Sequence, residues 1–256
     1  MKVKVLSDLH LEFQQGDPFH PGEGDVLVLA GDICTAYDLG TENGNDKLFQ
    51  QFFKDCVKNY NKVFYTLGNH EHYDFDIDLT QLTIKSYLPK GVSLLNNSSE
   101  FYGGWHFVGT TLWSDFENGN PIAMECARNS MNDYRIITKH GKRLQPKDTL
   151  KLHDDSIEWL NQSLRTMIGP VFMFSHHAPS PLSNVGYRTS DIRGAYCSDL
   201  HRLIENYPAI KYWAHGHIHS SVNYNIEQCN VFANPRGYYK YQLNEGFNPQ
   251  KELLLD

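Results

Sequence analysis

No stretch of this chain stays apolar for long. Its longest uninterrupted run, Val26–Ala30, falls far short of the ~20 residues that a membrane-crossing helix needs. Asp8 interrupts the apolar residues that follow Lys2 and Lys4, so no secretory signal is expected either. Cysteines are few. The five present (Cys34, Cys56, Cys126, Cys197, Cys229) are odd in number and lack a Cys-x-x-Cys pair, which argues against a disulfide framework and for a reducing cytoplasm. A basic face is missing too. The formal charge of −7 is spread along the chain, and the compact cluster of Lys139, His140, Lys142 and Arg143 around Gly141 reads as a solvated turn. A protein that grips extended nucleic acid by its phosphates is therefore not expected. No repeat, low-complexity tract or linker divides the 256 residues, and 40% hydrophobic with 13% aromatic residues suffices for a sizeable core. One domain over residues 1–256 is expected.

What the chain does have is a recurring pattern of short apolar runs that end in polar residues. Alternation through Val3 and Val5 into Leu6 reads as a strand entering a core, and Asp8 and His10 follow it. In an extended segment residues two apart share a side, so carboxylate and imidazole would converge. Residues 25–30, apolar on both faces, form a second strand that stops at Gly31-Asp32. Phe49, Phe52, Phe53, Cys56 and Tyr60 recur at helical spacing, and Lys62–Leu67 makes a third strand ending in Gly68-Asn69-His70-Glu71-His72. A helix over about 78–88, short strands at 92–95 and 101–113, and a long helix opening at Pro146 follow. Residues 171–175 form a fourth buried strand before His176-His177, and Ser198 is placed to cap a short helix. Residues 210–214 form the fifth strand, before His215-Gly216-His217-Ile218-His219. Ligands of α/β sheets collect beyond the carboxyl ends of strands, where loops converge. One such ending carries little weight; five, all of metal-binding types, do.

The order Asp-x-His, Gly-Asp, Gly-Asn-His-Glu, His, Gly-His-x-His resembles the calcineurin-like metallophosphoesterase superfamily, over Asp8 to His219. The resemblance implies an α/β fold, a four-layer α-β-β-α sandwich of two mixed sheets with a dinuclear metal site at the strand carboxyl ends. It further implies one metal held by Asp8, His10, Asp32 and His219, and a second by Asp32, Asn69, His176 and His217, with Asp32 bridging. His70 matches the residue that stabilises the transition state and protonates the leaving oxygen. Imidazole, carboxylate and amide ligands without thiolate suit two divalent or trivalent transition ions, Mn, Fe or Zn, with Mn favoured. Two such cations would clamp a phosphate and lower the pKa of a shared water for in-line attack on phosphorus.

Other residues keep alternatives open. His177 is either a supporting donor or a neighbour of His176, and His215 reads as core. Glu71 and His72 either orient His70 or belong to a solvated loop, and His153 reads as structural. Departures from the protein-phosphatase branch narrow the substrate. Leu11 and Ile33-Cys34-Thr35 stand where that branch has glycine after the first histidine and Asp-Arg-Gly after Gly-Asp, so its phosphate-clamping arginine is missing. Arg135, Arg188, Arg193 or Arg236 could replace it, since a guanidinium matches phosphate oxygens with paired donors. The loop 180–197 carries Tyr187-Arg188, a candidate stack and clamp for a nucleotide. The expected activity is hydrolysis of a small phosphate ester, with a phosphodiester such as a cyclic nucleotide ahead of a monoester. The alternatives are a nuclease acting on short single strands and a non-catalytic metal-binding scaffold. Oligomeric state is not legible.

Overall fold

The computed structural model describes residues 1–15, 17–41, 44–186 and 191–256. Along the chain the elements are β1 (Lys2–Leu6), β2 (Gly24–Ala30), α1 (Gly44–Asn59), β3 (Tyr60–Thr66), α2 (Ile77–Tyr87), β4 (Val92–Leu94), β5 (Ser98–Tyr102) and β6 (Trp105–Thr110). A single irregular turn, α3 (Phe116–Gly119), leads into α4 (Pro121–Ser130), α5 (Asp133–Ile136) and the hairpin β7 (Thr138–Lys139) and β8 (Lys142–Arg143). Then come α6 (Pro146–Leu164), β9 (Val171–Ser175), α7 (His201–Asn206), β10 (Ile210–His215), β11 (Val222–Ile226) and β12 (Cys229–Ala233). A second hairpin, β13 (Gly237–Tyr238) and β14 (Gln242–Leu243), precedes β15 (Glu252–Leu254).

Two mixed sheets form, in the orders β15-β1-β2-β3-β4 and β11-β12-β10-β9-β6-β5. Their central strands are parallel and their antiparallel partners lie at the margins. Period-two patterning decides what each face meets. Val3, Val5, Val26, Val28 and Phe64 point inward against Phe107, Phe172, Phe174, Ala214 and Phe232 of the other sheet. The alternate residues Leu6, Leu27, Leu29, Val63 and Tyr65 face outward under the Phe49/Phe52/Phe53/Cys56 stripe of α1. The outer face of the second sheet is covered by Leu160 and Leu164 of α6 and Leu203 and Ile204 of α7. The four-layer sandwich follows, and burying each such Leu or Phe contributes roughly 1.5–3 kcal/mol. α6 starts at Pro146 behind a capping box in which Gln145 N–H donates to Asp148 Oδ2 at 2.9 Å.

Several local expectations are corrected. β5 begins at Ser98, in a stretch whose polar Ser-Ser-Glu hides its strand character, and β6 stops at Thr110 because Leu112 and Trp113 are left-handed. Ser198 does not cap α7. Its hydroxyl accepts from Asp115 N–H at 2.9 Å, and α7 opens after Leu200 without a side-chain cap. Asp8 and His10 do not converge by strand alternation either. β1 ends at Leu6, and both residues are left-handed (φ 51° and 45°), with the fully buried Leu9 between them turned into the core.

Candidate metal centre

The parallel strands of both sheets bring their carboxyl ends to one edge, where the loops lace together. Asp8 N–H donates to Gly31 C=O and His10 N–H to Asp32 C=O, both at 3.0 Å, so the loops after β1 and β2 run side by side. His70 N–H donates to Asp32 Oδ1 and His217 N–H to Asp8 Oδ1, both at 2.9 Å, which draws in the loops after β3 and β10. His176 Nδ1 donates to Ala30 C=O at 3.0 Å and joins the second sheet to the first. Asp32 and His217 also have positive φ (55° and 66°). Four of the seven candidate ligands thus sit in a backbone region that L-residues visit rarely, and which the surrounding structure must enforce.

All seven side chains come together. Nε2 of His10 and His219 face each other at 3.1 Å, with Asp8 Oδ1 3.4 Å from His219 Nε2. His176 Nε2 lies 2.9 Å from Asn69 Oδ1 and 3.3 Å from Asp32 Oδ2, and His217 completes a second buried group with Asp32 and His176. Asp32 Oδ2 stands between the two groups, 3.8 Å from His10 Nε2. Asp8 Oδ2 and His217 Nε2 are buried and make no hydrogen bond, an expensive state for polar atoms that a cation would relieve. The donor set therefore fits two borderline transition cations.

Electrostatics point the same way. Burial opposes the charge on Asp32, yet His176 and His70 hold its carboxyl well below the usual range. Burial also disfavours imidazolium at His176, but Asp32 overrides it and raises that pKa to about 10. In the metal-free protein, protons on imidazoles thus balance carboxylates that cations would otherwise neutralise. His177 and His217 are pushed well below the ordinary histidine value, first by burial and then by neighbouring imidazoles. They stay neutral.

Supporting residues fix which atom each ligand presents. Glu12 Oε1 accepts from His10 Nδ1 at 3.2 Å and from His70 Nδ1 at 2.9 Å, and these bonds outweigh burial to hold its pKa at about 2. Asn69 Nδ2 donates to Asp133 Oδ1 at 2.9 Å, which turns the amide oxygen toward His176. The Tyr238 phenol lies 3.1 Å from His70 Nε2. Burial lowers the pKa of His70, but Asp32 and Glu12 bring it up to about 9. Sequence reasoning missed Glu12, Asp133 and Tyr238. Glu12 sits two residues beyond His10, and that adjacency was the available signal; Asp133 and Tyr238 arrive from 64 and 168 residues away.

Glu71 belongs to no solvated loop. It is fully buried and accepts from the N–H groups of Asp32, Ile33, Cys34 and Gly68 and from the Tyr65 hydroxyl, fastening the second loop to the third. His72 packs on Trp113 and His215 is buried against the Ser183 hydroxyl. His153 is buried, donating to Leu112 C=O. His177 is buried with its ring 4.2 Å from that of His217 and its Nδ1 donating to Thr111 C=O. Arg135 does not reach the centre: it is exposed and donates to Asn129 C=O. Arg193 pairs with Glu117, and Arg236 donates to Leu9 C=O beneath Phe19. Tyr187 and Arg188 lie outside the described residues, although Ile192 and Tyr196 of the same loop line the cavity over the centre.

This cavity, about 210 Å³, is walled by Asp32, Asn69, His70, His217, His219 and Tyr238 among others. A family model described as calcineurin-like phosphoesterase matches residues 1–221. The chain belongs to this family. It is accordingly a metal-dependent phosphoester hydrolase with a dinuclear-metal fold. An uncharacterized protein of Acanthamoeba polyphaga mimivirus is 28% identical over 285 residues, spanning 99% of this chain and 96% of that one. Among solved structures, the phosphopantetheinyl hydrolase of Mycobacterium tuberculosis superimposes with a TM-score of 0.68 at 15% identity, over 93% of this chain and 89% of that chain. A putative 5'-nucleotidase from Staphylococcus aureus gives 0.52 at 15% identity, over 91% and 48%. These likenesses are ones of fold. No helix among the described residues is long and apolar enough to cross a membrane.

Proposed function

We propose that the chain hydrolyses a small phosphodiester at a dinuclear centre whose ligands are Asp8, His10, Asp32 and His219 on one side and Asp32, Asn69, His176 and His217 on the other. The observation that carries this reading is the position of Asp32 Oδ2 between His10 Nε2 and His176 Nε2, at 3.8 and 3.3 Å. Two cations bound there, with Mn favoured for this donor set, would supply Lewis-acid clamping of the phosphoryl group and a nucleophile at neutral pH. The protein's own part is geometric and protic. Glu12 holds His70 Nδ1, which leaves Nε2, 3.1 Å from the Tyr238 hydroxyl at the cavity wall, to donate to a departing alkoxide.

The diester preference is supported by charge. Among the described residues neither this cavity nor the one that adjoins it across His70 is lined by Lys or Arg, and a singly charged diester requires less compensation than a dianionic monoester. The whole of residues 1–256 is part of the proposal, since β15 completes the first sheet and Tyr238 completes the cavity. A cytoplasmic location fits the thiols: the five cysteines are all free.

The test uses metal-stripped protein with Mn restored, assayed on a bis-nitrophenyl diester beside a nitrophenyl monoester, with His70→Ala and Asp32→Asn in parallel. Restored turnover favouring the diester, lost by about 100-fold or more in both variants, is expected. A wild type that binds two metals and cleaves neither ester would move the non-catalytic scaffold ahead.

A further inference from the structure

Beside the metal cavity lies a second, larger one of about 640 Å³. His70, Tyr73, Asn132 and Tyr238 line both, forming a shared partition. Beyond it the wall is aromatic. Phe13, Tyr37 and Tyr241 are 37%, 54% and 80% exposed, three of the large apolar side chains that the chain leaves in solvent, and they gather round this one groove. Phe13 is placed edge-on to both Tyr238 and Tyr241, at 5.6 and 6.1 Å between ring centroids. The lining carries the carboxylates Glu12, Asp38 and Asp74 against the one imidazole of His70, and no Lys or Arg is among the described lining residues.

We infer that this groove is the subsite for the departing half of the substrate, and that it takes an uncharged aromatic alcohol, such as a nucleoside. The inference rests on the phosphodiesterase reading above and deepens it. With phosphorus over the metal centre, the leaving oxygen faces His70, and the group attached to it has the far side of the His70/Tyr238 partition to occupy. Exposed rings that frame a groove bind flat π-faces, each stack being worth enough to change affinity by about tenfold. Glu12, Asp38 and Asp74 outnumber the His70 imidazolium on this wall and disfavour a second phosphate or a carboxylate on that half. The volume lies within the range of small-ligand sites.

Two measurements test this. In the first, methyl 2-phenylethyl phosphate is compared with methyl butyl phosphate, diesters whose departing alcohols are of similar acidity. The wild type is expected to favour the aromatic ester about tenfold in kcat/KM and to release 2-phenylethanol. In a Tyr37→Ala/Tyr241→Ala variant, whose exposed positions allow folding, the loss on the aromatic ester is expected to exceed that on the butyl ester about tenfold. The second needs no turnover: saturation-transfer NMR of 2-phenylethanol and of adenosine, expected to show contact in the wild type and to lose it in the variant. Equal kcat/KM for the two esters, or an undiminished ring signal in the variant, overturns the subsite. Ring binding that the variant loses, with neither ester cleaved, leaves the groove standing and removes the catalytic reading instead.

Discussion

Glu12 is the residue on which the proton chemistry of the site turns. One of its oxygens accepts from both His10 and His70, so a single carboxylate orients a candidate metal ligand and the candidate acid together. Replacing it with Gln keeps the shape and one acceptor but removes the charge that balances two imidazoles. Glu12→Gln is expected to lower kcat about 10- to 100-fold with KM changed far less, measured by steady-state kinetics on the loaded protein. Asp8, His10, Asp32, Asn69, His70, His176, His217 and His219 stood out because they follow apolar runs with metal-capable side chains, and the family resemblance supplied their candidate roles. Glu71 was visible but not interpretable, since its five partners come from loops and a strand that only the fold makes adjacent. Arg135 does not reach the site because, although α5 also carries Asp133, its own side chain is exposed and donates to Asn129 C=O.

At the scale of elements, the strand endings work because glycines let the loops touch. A Cβ on Gly68 would fall on Asp32 Oδ1 and within 2.8 Å of His176 Cε1, so an added methyl must displace the bridging candidate or its neighbour. Displacements of about 1 Å at a reacting centre can cost about 100-fold. Gly68→Ala is therefore expected to lose activity on that order and part of its metal, read by elemental analysis of the folded variant. A second tie joins the sheets away from the centre: Lys62 of β3 and Glu100 of β5 pair at 2.5 Å, with Ser93 donating to the same carboxylate at 2.6 Å. Burial opposes the charge on Glu100, but the bonds from Lys62 and Ser93 together outweigh it and lower its pKa. A carboxyl whose folded pKa is lowered stabilises above its unfolded value, near 4.3, and loses that contribution as pH falls through the folded value. The stability difference between wild type and Glu100→Gln should be at most about 1 kcal/mol at pH 7, given its exposure, and should vanish as acid is added below about pH 4. Urea unfolding at several pH values measures it. The strands themselves were readable where period two held, as in β1 and β2. β5 was not, because its Ser-Ser-Glu start has no apolar alternation to reveal it.

For the whole molecule, the tail matters more than its position suggests. The family match ends at residue 221, yet β15 pairs with β1 and the β13–β14 hairpin delivers Tyr238 to His70 and Gln242 to the cavity rim. No pattern in the sequence could show this, since the hairpin strands are two residues each and their partners lie at the opposite end of the chain. The sandwich was legible through the family resemblance that the five strand endings carry; closure of the site by the tail was not.

In the proposed centre Asp32 couples two metals held by loops from both sheets. Electron paramagnetic resonance of the Mn-loaded protein tests it most directly, with metal content measured on the same samples. Two Mn per chain with the broadened spectrum of an exchange-coupled pair are expected, and in Asp32→Asn the replacement of that spectrum by the six-line signal of isolated ions. A wild type that shows only isolated Mn at full loading, or an Asp32→Asn variant that keeps the coupled spectrum, would contradict it.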